Sequence, residues 1–139
     1  MRPYLRSLLA LGLVLCSAVG SFAQDQSFNG FAPCNGNAVP FTTLNGNTEF
    51  LLTDVTVANP VPNHVDVFFL DPSGAFRLNA VVGERSTYAQ SFSSPIIFNP
   101  SNGGGALEVG CMLLRGSLGP PPLGDRVFVT FSGARKQLQ

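Results

Sequence analysis

From residue 48 onward the chain alternates apolar and polar side chains with a period of two. The run TEFLLTDVTVANP, Thr48 to Pro60, places Leu51, Val55 and Val57 on one phase and Phe50 and Leu52 on the other. HVDVFFLD alternates at Val65, Val67 and Phe69 and stops at Asp71-Pro72-Ser73-Gly74, a residue order suited to a type I turn. AFRLNAVV follows, with Phe76, Leu78, Ala80 and Val82 facing one way and Arg77 and Asn79 the other. Successive side chains of a strand point to opposite sides, so this alternation marks strands with one buried face. RSTYAQSF, IIF, ALEVGCMLLRG and RVFVTFSGA continue the series, the last with Val127, Val129 and Phe131 in phase, and AVPFTTL begins it. Connectors rich in Gly and Pro, such as NPSNGGG and SLGPPPLGD, separate the segments. About eight short strands at this spacing predict an all-β fold, an antiparallel β-sandwich of jelly-roll-like form.

The stretch CNGNAVPFTTLNGN, Cys34 to Asn47, carries Asn-Gly-Asn twice. Asn-Gly favours a type I′ hairpin turn, because both residues tolerate positive φ. Two turns flanking a strand is the simpler reading, and Pro40 inside that strand places it at a sheet edge, where a missing amide donor costs nothing. The other reading makes Asn35, Asn37, Asn45 and Asn47 a polar rim for a glycan or an ion. Phe28 and Phe31, in QSFNGF ahead of the first expected strand, fit core alternation less well and are candidate interface residues.

The N-terminus changes the picture from a fold to a location. Arg2 and Arg6 precede an apolar run from Leu8 to Leu15, and Ser21-Phe22-Ala23 supplies small residues at −3 and −1 of a cleavage site. These are the zones of a secretory signal peptide, predicted over 1–23, with a single domain over 24–139. The apolar run is too short to span a bilayer, and no later stretch reaches the roughly 20 residues a spanning helix needs. A secreted or periplasmic protein is the expectation. In such a compartment Cys34 and Cys111, the two cysteines beyond the leader, are expected to form a disulfide.

Charge narrows the function. Without Arg2 and Arg6 the chain has six basic and eight acidic residues, a net charge of −2. Only 12 % of the full chain is charged, against about 25 % in ordinary globular domains. No basic patch is present, which argues against nucleic acid as a partner. Eleven phenylalanines and no tryptophan follow the leader, so sugar-stacking platforms are poorly supplied.

Catalytic chemistry is thin. His64 stands two residues before Asp66, a spacing that puts both on one strand face and would let the carboxylate orient an imidazole. No nucleophile motif accompanies it, and the expectation is that the protein is not an enzyme. The acidic residues are scattered and form no calcium loop, so neither metal nor cofactor is expected, although Asp71 or Asp125 could contribute to a loop-bridging calcium. Asp54, inside the apolar LLTDVTV, either faces solvent or is buried and held by backbone amides or an arginine such as Arg126.

The run FLLTDVTVANP, VDVFFLDPSGAFRLNAVV, SFSSPIIFNPSNGGGALEVG and VFVTFSG resembles small exported bacterial jelly-roll domains without an assigned role. The resemblance implies a fold and an extracytoplasmic setting and carries over no functional residue. The sequence points to a secreted, non-catalytic structural or interaction module. It would self-associate as a homo-oligomer or dock on a cell-surface protein or glycan. The alternative is a glycan- or small-ligand-binding module built on the Asn/Gly-rich loops.

Overall fold

The computed structural model describes residues 24–114 and 124–139; the expected leader and most of the Pro-rich connector lie outside the described residues. Eight strands are present: β1 (Gln24–Pro33), β2 (Asn35–Leu44), β3 (Thr48–Ala58), β4 (Val65–Leu70), β5 (Phe76–Val82), β6 (Thr87–Phe98), β7 (Gly105–Leu113) and β8 (Arg126–Gln137). They form two four-stranded antiparallel sheets, ordered β1-β8-β3-β6 and β2-β7-β4-β5. Only β4 and β5 are neighbours both in sequence and in a sheet; every other successive pair lies in opposite sheets. This order is the jelly roll, eight strands wound as two Greek keys.

The expected count of eight is reached by a different division of the chain. β1 contains Phe28 and Phe31, so these residues lie within the first strand rather than ahead of it. Its inward phase is diluted by Gly30 and Ala32, which hides the alternation from a reading of hydrophobicity. Conversely, RSTYAQSF and IIF are two halves of β6. The polar interruption Ser93-Ser94-Pro95 is absorbed because β6 is an edge strand whose register to β3 shifts at this point.

That same shift, between Leu52 and Asp54 of β3, resolves the conflicting phases of LLTDVTV. One extra residue flips the alternation, so Phe50, Leu52, Val55 and Val57 all face the core. The two sheets enclose a layer of phenylalanines. Phe131 lies at the centre, with ring centroids 5.2 Å from Phe28, 5.6 Å from Phe41, 5.7 Å from Phe69 and 5.9 Å from Phe50. Leu44, Leu107 and valines from both sheets complete this core.

Neither Asn-Gly-Asn copy makes a hairpin, because the strands on either side of each belong to different sheets. Asn35-Gly36-Asn37 is a bulge at the start of β2: Gly36 has φ 86°, and the Asn37 amide donates to Asn35 Oδ1 at 3.0 Å. Asn45 accepts from the Thr48 amide at 3.0 Å and closes a turn as the chain crosses between sheets. β2 is an edge strand, as Pro40 predicts. The Cys34–Cys111 disulfide is formed, with a Cα–Cα distance of 4.2 Å. It ties the β1–β2 corner to β7, while the Cys34 amide donates to the Asp125 carbonyl at 2.8 Å on the approach to β8.

Candidate interaction surface

The outer sheet faces differ in chemistry, and the strand registers say how. Across β1-β8-β3-β6 the outward residues fall into rows. One row is Ser27, Ser132, Asp54 and Ser91; the next is Asn29, Thr130, Thr56 and Ala89; the last is Phe31, Phe128, Ala58 and Thr87. Half of the residues in these rows are therefore small hydroxyls, and the last row carries an aromatic pair.

Asp54 faces solvent at the centre of the hydroxyl rows, and Arg126 does not hold it. Its carboxylate accepts from Ser91 Oγ at 2.6 Å, Thr53 Oγ1 at 2.8 Å and Ser132 Oγ at 3.2 Å. These hydrogen bonds, the one from Ser91 first, hold the carboxyl below its ordinary value. A carboxylate already supplied with three donors is a satisfied surface group. Arg126 instead lies over the Phe31 ring, 4.3 Å from its centroid, and Phe31 meets Phe128 edge-on at 4.9 Å.

The outer face of β2-β7-β4-β5 carries a second apolar surface. Met112 and Val81 stand directly opposite Asp66 on either side, so one row reads Met112, Asp66, Val81. In the next row Phe68 lies flat over Gly110, where a Cβ would collide with the ring, and Phe76 tilts against Phe68 at 5.5 Å. Phe76 is 70 % exposed, Val81 60 %, Phe31 50 % and Met112 47 %, values that place them at a surface and not in a core. The alternation of AFRLNAVV assigns Phe76 to the buried phase; the register shift between Phe69 and Leu70 moves it out. Val81 and Met112 were legible as apolar residues on otherwise polar phases, beside Asn79 and Glu108 respectively.

The remaining candidates separate. Asn35 and Asn37 sit at one end of β2 and Asn45 and Asn47 at the other, about 30 Å apart for a ten-residue strand. They form no common rim. Phe28 turns inward against Phe50 and Phe131, whereas Phe31 is exposed. Asp66 accepts its hydrogen bond from Asn79, whose Nδ2 donates to Oδ2 at 3.2 Å, and not from His64. The other oxygen, Asp66 Oδ1, is buried with no hydrogen-bond partner. Among the described residues no three His, Cys, Asp or Glu side chains cluster as a metal site.

Asp71 is committed to the β4–β5 turn. Its carboxylate accepts from the Ser73 and Ala75 amides at 3.0 and 3.1 Å, and Arg77 Nη2 lies 2.6 Å away. Burial alone would raise its pKa, but the bonds from Ser73, Arg77 and the turn amides outweigh burial and hold it below 3.8. A depressed folded-state pKa gives stability that is complete above about pH 4 and lost as pH falls through the folded value. Asp71→Asn is therefore expected to lower stability by about 2 kcal/mol at pH 7. Thermal melts should show the gap to the unaltered protein narrowing as pH falls below about 4; a gap independent of pH would refute the assignment.

No protein-family model and no curated protein matches the sequence. Among solved structures, the capsid asymmetric unit of cyanophage Pam1 is 11 % identical with a TM-score of 0.46, covering 96 % of both chains. The particle of extra small virus from the giant freshwater prawn Macrobrachium rosenbergii is 10 % identical with a TM-score of 0.43, covering 100 % of this chain and 97 % of its own. Bacillus endospore appendages, described as disulfide-linked pili, are 11 % identical with a TM-score of 0.34, covering 85 % and 88 %. All three scores lie under 0.5, and the jelly-roll assignment rests on the strand order itself.

Proposed function

We propose that this chain is an exported, non-catalytic structural module that associates with copies of itself through its sheet faces. The observation that carries this reading is the set of large apolar side chains exposed on both outer faces, Phe31 and Phe128 on one and Phe76, Val81 and Met112 on the other. A sandwich has two inner faces to bury; apolar residues placed on the outer ones, on a chain with few charges, mark surfaces that are covered in use. Export is supported by the leader-like N-terminus and by the disulfide, which persists in oxidising compartments.

Faces are better supported than edges as the contact. An exposed edge strand can pair with another chain, yet two of the four edges, β2 and β6, contain Pro40 and Pro95. A ligand-binding role for the Asn loops has less support, since they stand at opposite ends of β2 and Asn35 already bonds within its own loop. Docking on a cell-surface protein would use the same apolar residues.

Sedimentation velocity on protein purified from exporting cells, from about 1 to 300 μM, tests the reading. A weight-average mass rising to a multiple of the single chain is expected, because a Kd within that range corresponds to about 5 to 8 kcal/mol of association free energy. A single chain at every concentration would overturn it.

A further inference from the structure

The two exposed apolar surfaces are unlike each other, and their differences match. The row Met112, Asp66, Val81 sets a carboxylate between two exposed apolar side chains, and Glu108 lies on the same outer phase of β7. Asp66 Oδ1 is removed from water without a donor, an uncommon and costly state for a carboxylate oxygen. Among the described residues, the arginine near this face, Arg77, is already held by Asp71. The face therefore offers apolar contact around a carboxylate that holds a single hydrogen bond.

The opposite face offers the counterpart. Arg126 lies over the Phe31 ring, Phe31 and Phe128 pair edge to face, and exposed Arg85 lines a shallow depression beside Phe128 with Pro60 and Thr87. Among the described residues neither arginine makes an ion pair, although Glu84 and Asp125 precede them in sequence. An arginine stacked on an aromatic ring is planar, rich in donors and weakly hydrated, which suits a carboxylate set in an apolar surface.

We propose that copies of this chain join head to tail, the Phe31–Phe128 surface with Arg126 and Arg85 docking on the Met112–Asp66–Val81 surface of the next copy. The inference rests on the self-association proposed above and adds its symmetry. A face-to-same-face contact would set Asp66 and Glu108 near their own copies, or Arg126 and Arg85 near theirs, and like charges disfavour both. The unlike contact pairs opposite charges, setting an arginine against the under-bonded Asp66 carboxylate. Because the two surfaces lie on the outer sides of different sheets, each copy keeps one unused surface after docking. The contact thus propagates into a filament or closes as a ring instead of stopping at a dimer.

Two doubly substituted variants test this, Val81→Ser with Met112→Ser and Phe31→Ser with Phe128→Ser, all at exposed positions. Each alone is expected to sediment as a single chain, having lost one half of the contact. Mixed in equal amounts they are expected to form a one-to-one dimer and nothing larger, because one intact surface of each kind is present. Assembly of either variant alone to the size of the unaltered protein would overturn the head-to-tail contact while leaving self-association in place. A mixture that stays as single chains would overturn it as well. A single-chain mass for the unaltered protein would remove the underlying reading instead. Asp66→Asn, which preserves shape, is expected to raise the dissociation constant about tenfold; an unchanged constant overturns the role given to Asp66.

Discussion

Replacing Cys34 and Cys111 together by alanine is expected to lower the melting temperature by about 15 °C. The bridge joins residues 77 apart, and closing a loop of that length removes about 4 kcal/mol of chain entropy from the unfolded state. Spread over an unfolding entropy of roughly 2 cal/mol/K per residue, that loss gives the predicted shift. The native fold has little to fall back on at this corner. Cys34 stands where the chain leaves one sheet for the other, and both cysteines are buried. Beyond the strand ladders, the other tie of Cys34 there is the hydrogen bond from its amide to the Asp125 carbonyl. Calorimetry of the variant, with the oxidised protein as reference, is the check. A shift below about 3 °C would mean that packing alone holds the corner.

The second large effect is expected at Phe131. Truncation to alanine should cost about 4 kcal/mol, the upper part of the range for a buried aromatic. The reason is geometric. Phe131 is the residue through which Phe28 of β1, Phe41 of β2, Phe50 of β3 and Phe69 of β4 meet, so its loss opens a void between the sheets. The surrounding strands are fixed by their ladders and cannot collapse to fill it. Phe131→Leu, which retains much of the volume, should cost about 1 to 1.5 kcal/mol. Urea denaturation of both variants separates the contributions. Equal losses for leucine and alanine would show that the edge-to-face aromatic contacts, and not filled volume, dominate.

Phe131 also shows what a sequence discloses. Its phase with Val127 and Val129 is unambiguous, and all three are buried. Val65, Val67 and Phe69, and the Asp71–Gly74 turn, behave in the same way, because they belong to the β4–β5 hairpin, the one place where sequence neighbours pair. Elsewhere, pairing is set by residues far along the chain. The bulge in β3 has no local signature beyond a broken alternation, and β1 has too few apolar residues on its inward phase to be seen. The Asn-Gly-Asn copies mislead for a related reason. Asn-Gly records that the backbone bends; whether it bends within a sheet or across to the other sheet depends on where β7 and β8 lie. The candidate surface was partly written in the sequence, as Val81, Met112 and Phe128 on solvent phases. Phe76 was not, because a register shift within its own strand, at Arg77, decides its side.

The position of β8 has a bearing on how the molecule comes into being. β8 lies between β1 and β3 in its sheet, and β1 pairs with no strand of that sheet except β8. During synthesis, therefore, β1 waits about a hundred residues for its neighbour, at roughly 5 to 20 residues per second. Long-range pairing of this kind is slow, since the entropy of closing the loop is lost before any contact compensates for it. A nascent chain that cannot complete its sheet until β8 emerges stays open and threadable, the state a secretion channel accepts. The topology that places β8 inside its sheet also delays folding until nearly the whole chain has emerged.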